Sequence, residues 1–307
     1  VSLKLLANHL DFNELKSFIP EIYFLNGNTY VDLEANGKFG NLFIKKLNVA
    51  TYGSSVKLSG SISNLHRPNA LYLDVKIDDS KIIPKGISEL LRPFNIPKFP
   101  NVNQAAVFAS YKGNPLDFQS KVFMQSDVGT IKAEAHLNLK EYPMKYETTF
   151  QLDDVNLEKI FDNEILNGRV YASGTFNGEG TNPETLNSKL NISIDSTRLL
   201  NLDFIKSNME LQAQKNRFEV SSNLQTATMK VVCSGYLDIT RRSIPKYGVT
   251  ASCNSVDLSK VLYDDNYTSN LNFNVDANGK GKNINTADAE VNISIFPSTF
   301  LEHKIPN

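Results

Sequence analysis

The sequence predicts a mainly β fold: a long antiparallel twisted sheet of repeated β-hairpins, curled into a groove or trough, with short helices between the hairpins. Three observations predict it. Apolar and polar residues alternate with period two over segments of about 8–11 residues, the mark of strands with one greasy and one wet side. A block of strand pattern returns 101 residues further on without a gap. A larger order of strand, turn, return strand and short helix occurs at least three times.

The alternation runs through the chain. Val56, Leu58 and Ile62 alternate with Lys57, Ser59 and Ser61, and Ile131, Ala133, Ala135, Leu137 and Leu139 with Lys132, Glu134, His136 and Asn138. Leu190, Ile192 and Ile194 follow the rule, as do Val291, Ile293 and Ile295. Roughly fifteen such segments, longer than the usual strand of ~5–6 residues, imply a wide sheet.

Asn177-Gly178-Glu179-Gly180-Thr181-Asn182 and the stretch through Asn191-Ile192-Ser193-Ile194 return as Asn278-Gly279-Lys280-Gly281-Lys282-Asn283 and Asn292-Ile293-Ser294-Ile295. Half of the positions from Asn177 to Ile194 are identical at that offset, far above chance. Val155–Ile160 maps onto Val256–Val261, and Lys145-Tyr146 onto Lys246-Tyr247. The larger unit opens with the strands Ser55–Leu58, Thr130–Ala133 and Thr228–Val231. It returns through Leu71–Val75, Tyr146–Phe150 and Tyr247–Ala251, and closes with helices over Ile87–Leu91, Leu157–Phe161 and Leu258–Leu262. Asn156 and Asp257 precede the last two helices, where their side chains cap free backbone N–H groups, and Asp11 stands in the same place before a helix over Phe12–Phe18. Helices this short must lie against a sheet.

Pro84, Pro93, Pro97 and Pro100 mark a connection rather than a central strand. The reading is a first β-repeat section over 1–84, a proline-rich connection with a short helix over 85–104, and a second section over 105–307 that carries the two repeats at the 101-residue offset. Together they are expected to form one continuous elongated fold. Val1 is not a start methionine and no basic-then-apolar leader follows, so the chain reads as a fragment of a larger protein.

Composition narrows the function classes. With 41% hydrophobic residues the chain can bury a core. With 32 basic and 33 acidic residues, a net charge of −1 gives no broad electrostatic case for nucleic acid. No stretch approaches the roughly 18 apolar residues of a membrane helix. His9, His66, His136 and His303 have no metal-ligand spacing, and His136 falls on the wet parity of its strand. There is no nucleophile elbow and no phosphate-binding loop, and the Gly178-Glu179-Gly180 and Gly279-Lys280-Gly281 runs read as β-turns. The acid pairs Asp153-Asp154 and Asp264-Asp265 read as helix-end solvation. Lys57, Lys132 and Lys230 recur at one repeat position, as solvated wet-face charges or as a basic ladder. The chain therefore reads as a non-enzyme without cofactor or metal.

Cys233 and Cys253 lie at equal distances from Ser243, inside the turn Arg241–Pro245. A hairpin symmetric about that residue sets the two thiols face to face on its apolar side. Two small buried hydrophobes and a disulfide in an oxidising compartment are the readings left open.

Strand–turn–strand units closed by a Val-Asn-Leu-x-Lys-Ile helix, together with Leu166-Asn167-Gly168-Arg169-Val170 … Gly178-Glu179-Gly180 … Asn182-Pro183, resemble the AsmA/TamB-like superfamily of bacterial envelope proteins. The resemblance covers most of residues 10–300. It implies a periplasmic β-groove that binds or conducts phospholipid or another acyl-chain lipid between inner and outer membrane. It also implies partners among the proteins of those two membranes, with membrane association through other parts of the parent protein. The chain lacks that family's N-terminal anchor and any recognisable C-terminal partner-binding signature.

The residues themselves point the same way. A sheet with one apolar face must hide it against a second sheet, by closure, or around an apolar ligand. Repetition favours an open, extendable shape. Leu58, Ile62, Ile131, Leu137, Ile192, Ile194, Val231, Val249, Ile293 and Ile295 are the expected lipid-lining residues, with plain core packing as the competing account of each. The alternatives are an envelope scaffold, an assembly factor for outer-membrane proteins or an adhesin-like β protein, each with a self-filled core. A transmembrane barrel ranks below these, since no tryptophan supplies interfacial girdles and short helices interrupt the strands.

Overall fold

A computed structural model describes residues 2–16, 27–90, 99–200, 202–283 and 287–306. The fold is mainly β, with nineteen strands and four short α-helices among the described residues. In order these are β1 (Ser2–Asp11), α1 (Phe12–Leu15), β2 (Asn28–Lys38), β3 (Asn41–Thr51), β4 (Ser54–Ser63), β5 (Tyr72–Ile82), α2 (Pro84–Leu90), β6 (Ala105–Asn114), β7 (Asp117–Ser126), β8 (Gly129–Asn138) and β9 (Lys145–Val155). There follow α3 (Leu157–Phe161), β10 (Gly168–Glu179), β11 (Asn187–Leu199), β12 (Leu202–Gln214), β13 (Arg217–Gln225), β14 (Lys230–Asp238) and β15 (Lys246–Val256). The chain ends with α4 (Leu258–Leu262), β16 (Ser269–Lys280), β17 (Asp288–Ile295), β18 (Ser298–Phe300) and β19 (His303–Ile305). Within each unit pairing is antiparallel and joins strands that follow one another in the chain, an open meander, except that β18 pairs back with β16. Of the expected helix starts, Asp11, Asn156 and Asp257 all cap, accepting from the N–H groups of Asn13, Lys159 and Ser259. Ser17, Phe18, Leu91, Pro93 and Pro97 lie outside the described residues.

The chain forms two compact units, Val1–Lys140 with Leu152–Glu164, and Glu141–Gln151 with Ile165–Asn307. The division passes through β9. The first unit holds β1 to β8 and the end of β9, and the second holds the start of β9 and β10 to β19.

The sequence repeat is a structural repeat in the same phase. β9 and β15, α3 and α4, the 3-10 turns Glu164–Leu166 and Asp265–Tyr267, and the bounds of β10 and β16 all recur 101 residues apart. So do the left-handed residues that stop the helices, Asp162 and Tyr263.

A second recurring device lies near the helix-bearing ends of the strands. Asp79, Asp154, Ser196 and Ser255 adopt positive φ of 39°, 57°, 48° and 54°, a region that Asp enters more readily than most residues. Each precedes a buried residue: Ser80, Val155, Thr197 and Val256. At three of these places the ladder register shifts, as in a β-bulge. A side chain from the neighbouring strand then meets the backbone group left unpaired. Ser80 Oγ accepts from the Lys57 N–H at 2.8 Å. Thr197 Oγ1 accepts from the Tyr171 N–H at 2.8 Å and donates to the Tyr171 carbonyl at 2.9 Å. Asn272 Oδ1 accepts from the Ser255 N–H at 2.9 Å. Asp153-Asp154 therefore has a backbone role beside the helix-end solvation expected of it. Asp154 is the left-handed residue, and its carbonyl comes so near Gly129 that a Cβ there would lie 2.6 Å away.

Ser80 and Thr197 are each 1% exposed, so removing either hydroxyl strands a backbone N–H. Ser80→Ala and Thr197→Val are each expected to lower stability by about 1–3 kcal/mol, read as a lower urea midpoint. Ser243→Ala, in an exposed loop, is expected to change it by less than about 0.5 kcal/mol. Unchanged midpoints for both buried variants would show that the hydroxyls do not hold the bulges.

Candidate functional site: an uncovered apolar sheet face

Cross-strand register decides whether apolar positions gather on one face or scatter. In the first unit one row reads Leu5, Leu33, Leu47, Leu58, Ile77, Ala109, Val122 and Ala133 across eight strands. A row nearer the hairpin turns joins Ile62, Leu73, Gly113, Phe118 and Leu137. In the second unit Phe176, Leu190, Leu211, Val220, Gly235, Val249, Ala277 and Val291 make an equivalent row. Neither eight-strand row contains a polar side chain. Within each unit the hairpins present one apolar lining.

All ten expected residues lie on these faces. Leu58 and Ile62 sit in the first-unit rows, Ile131 faces Met124, and Leu137 faces Phe118. In the second unit Ile192 faces Gly174 and Met209, Ile194 faces Ala172 and Ser207, and Val231 faces Leu224 and Cys253. Val249 faces Gly235 and Ala277, Ile293 faces Val275, and Ile295 faces Phe273. None of the ten is buried. Seven are half-buried, while Val249, Ile293 and Ile295 are 43%, 59% and 47% exposed.

Sealed packing is confined largely to the helix-bearing strand ends. There Met229, Cys253 and Val256 are buried, with Leu258 of α4 and Leu271 packed against them. Ala105, Val128 and Val155 mark the same end of the first unit. Toward the hairpin turns the face is lined by stacked rings, Tyr111 on Phe118 at 4.4 Å and Tyr146 on Phe176 at 4.8 Å. The two phenols donate to the Asn114 and Gly180 carbonyls. Phe150 lies over Gly174, where a Cβ would come within 2.6 Å of its ring.

The opposite face is wet and charged. Lys57 pairs with Asp79 at 3.2 Å, Lys132 with Asp153 at 3.4 Å, Lys121 with Glu134 at 2.8 Å and Lys46 with Asp32. Two of the three recurring lysines are thus partners of the bulge acids, and Lys230 stands opposite Asn254. They form no basic ladder. His136 is exposed beside Asp117 at 3.3 Å, as its parity predicted.

The cysteine geometry differs from the symmetric hairpin expected. Asp238 pairs with Lys246, so the β14–β15 hairpin is centred on Arg242 rather than Ser243. The Thr240 N–H bonds back to the Asp238 carboxylate and the Ile244 N–H to the Arg241 carbonyl, which closes the turn one residue early. Cys233 consequently faces Ala251, and Cys253 faces Val231. The thiols share the apolar face as diagonal neighbours, and both are free. Diagonal Cα atoms lie about 7–8 Å apart, beyond the roughly 4.4–6.8 Å that a disulfide spans. Cys233 Sγ instead meets Ser222 Oγ at 3.0 Å.

The face is larger than the ten residues suggested. Leu5, Leu33 and Leu47 extend it into β1 to β3, and the Tyr111, Phe118, Tyr146 and Phe176 rings line it toward the turns. Its β1 and β2 members were visible as Leu3-Leu5-Ala7 and Val31-Leu33-Ala35 alternation. No family model, curated protein or solved structure matches this chain.

Burial pushes the Cys253 thiol up, and the neighbouring Cys233 adds to the effect. Folded protein without reductant is expected to alkylate at Cys233 before Cys253. The Cys253 rate should keep rising with pH above the free-thiol range near ~8.5. Mass spectrometry after unfolding without reductant should then find two alkylated thiols, and a cross-linked Cys233–Cys253 pair would contradict the register.

Proposed function

We propose that the uncovered apolar face binds the acyl chains of phospholipid or another acyl-chain lipid. We further propose that the chain is a segment of an AsmA/TamB-like envelope protein that passes lipid between the inner and outer membranes of the periplasm. The observation that carries the reading is the eight-strand row without a polar side chain, half-buried to exposed, in each unit. Such a surface binds by area, at about 0.8 kcal/mol per buried methylene, and has no group with which to read a headgroup. A self-filled scaffold would need a second layer over this face. The short helices instead pack at strand ends, and the buried clusters stay there with them. The 101-residue repeat supports a surface lengthened by adding copies, which suits a conduit better than a closed pocket.

The test uses a soluble fluorescent fatty acid and the full chain. Wild type is expected to bind the probe, and native mass spectrometry to find co-purified lipid. Val249→Glu with Ile293→Glu places two charges on the face at exposed positions, so folding is retained and affinity should fall at least about tenfold. Ser234→Glu, on the wet face of β14, should leave it unchanged. Absence of both bound lipid and probe binding in wild type would sink the proposal.

A further inference from the structure

We infer that the hairpin-turn rim of the first unit docks on an anionic bilayer surface, which brings the open end of its apolar face to the lipid. This rests on the acyl-binding reading above. Three neighbouring turns each raise a large apolar residue into solvent: Phe39, Leu65 and Leu116. Phe39 is 87% exposed, and its ring packs on His66 of the next turn at 5.3 Å between centroids.

These are not scattered surface residues, because the turns are tied to one another. The Leu65 N–H donates to the Gly40 carbonyl at 2.8 Å, and the Leu139 N–H to the Leu116 carbonyl at 2.7 Å. The Asn114 amide donates to the Leu71 carbonyl at 2.8 Å. The rim is therefore a fixed edge that presents its apolar tips together. Rings and aliphatic tips beside basic side chains are the composition that settles at a membrane–water interface.

Charge selects the surface. Lys38 and Arg67 flank the tips and form no ion pair among the described residues. The carboxylates nearest the turns are already engaged, Asp74 with Lys112 at 3.6 Å, and Asp117 with His136 at 3.3 Å and Lys140 at 3.9 Å. The opposite, helix-bearing end of the same unit carries Asp11, Glu14, Asp78, Asp127, Asp154, Glu158, Asp162 and Glu164 against Lys16, Lys81, Lys85 and Lys159, an acidic balance that does not count Asp79, already paired with Lys57. An anionic bilayer attracts the first end and repels the second, so approach has one orientation. In that orientation the Ile62, Leu73, Phe118 and Leu137 row is the part of the face nearest the lipid.

The experiment is co-sedimentation of the full chain with two vesicle types, pure phosphatidylcholine and phosphatidylcholine with one-third phosphatidylglycerol. Wild type is expected to bind the anionic vesicles, less so at high salt, and the neutral ones weakly. Lys38→Ser with Arg67→Ser should weaken anionic binding about thirtyfold, two charges at about 1 kcal/mol each. Phe39→Ser should weaken it as well, and Phe161→Ser and Lys85→Ser, at the acidic end, should not. Equal binding to both vesicle types, no binding to either, or a double variant that binds as wild type would each overturn the docking rim. Acyl-probe uptake, measured without vesicles, separates the two proposals. Uptake retained by the double variant with vesicle binding lost is the expected result. Loss of uptake together with vesicle binding in that variant, or unequal urea midpoints, would mean the rim residues act through the fold, and the inference fails. A wild type that docks but takes up no probe would sink the acyl-binding reading and leave the rim standing.

Discussion

The fold depends on register phase. In an antiparallel sheet a slip of one residue carries a whole strand's apolar set to the other side. This chain holds that phase over eight strands in each of its two units. It also survives repeated bulges, each of which adds a residue and would invert the side-chain alternation if the backbone did not turn with it. Ile44 and Leu47, Ile77 and Ser80, and Cys253 and Val256 are three apart in sequence yet lie on the same face, because the two residues between them share one place opposite the partner strand. At Ile77–Ser80 and Cys253–Val256 the left-handed Asp79 and Ser255 make the turn, and a hydroxyl or an amide meets a backbone N–H beside it, which keeps the apolar rows in phase; at Ile44–Leu47 the shift is made without a left-handed residue.

Much of this was legible. Strand parity, the 101-residue repeat, three helix caps and the shared apolar face of the ten singled-out residues follow from period two and from Asx chemistry, which are local. The bulges left a local trace too, namely doubled polar residues inside alternating strands. Asn8-His9, Lys45-Lys46, Asp78-Asp79 and Asn254-Ser255 each fall where the ladder shifts. Asp153-Asp154 belongs to the same set, but its acids beside a helix start suggested solvation. What could not be read was the Cys233–Cys253 offset. It turns on which residue closes a seven-residue loop, and a change of one place there moves two thiols from opposite to diagonal while leaving both on the same face.

The charge balance shows how a composition average conceals a surface. A net charge of −1 removes any case for a uniformly basic protein. A hairpin meander, however, sends its connections alternately to two ends. Helix caps and left-handed bulges both call for Asp and Asn, and both sit at the same end. The acid excess there is a by-product of building the fold. The connections at the other end carry no α-helix cap, and the turn after β2 and the loop between β4 and β5 hold Lys38, the exposed Phe39 ring and Arg67. End-to-end polarity in the first unit thus follows from backbone chemistry before any selection for a partner.

The same logic separates affinity from selectivity. On the apolar rows nothing can recognise a headgroup, so under the proposed function every acyl chain of similar length would gain about the same from burial. Discrimination requires polar or charged groups at the boundary of the face, where a desolvated wrong contact carries a cost. In the first unit Lys38 and Arg67 stand at the turn rim without an ion pair among the described residues, while the helix-bearing end is sealed and acidic on balance. On the proposed reading, a lipid lying on the rows with its tail toward the sealed end would leave its phosphate at the rim. Tail binding and headgroup contact, as proposed, would then fall to different residues of one sheet, the first fixed by strand parity and the second by turn composition, so either could change in sequence without disturbing the other.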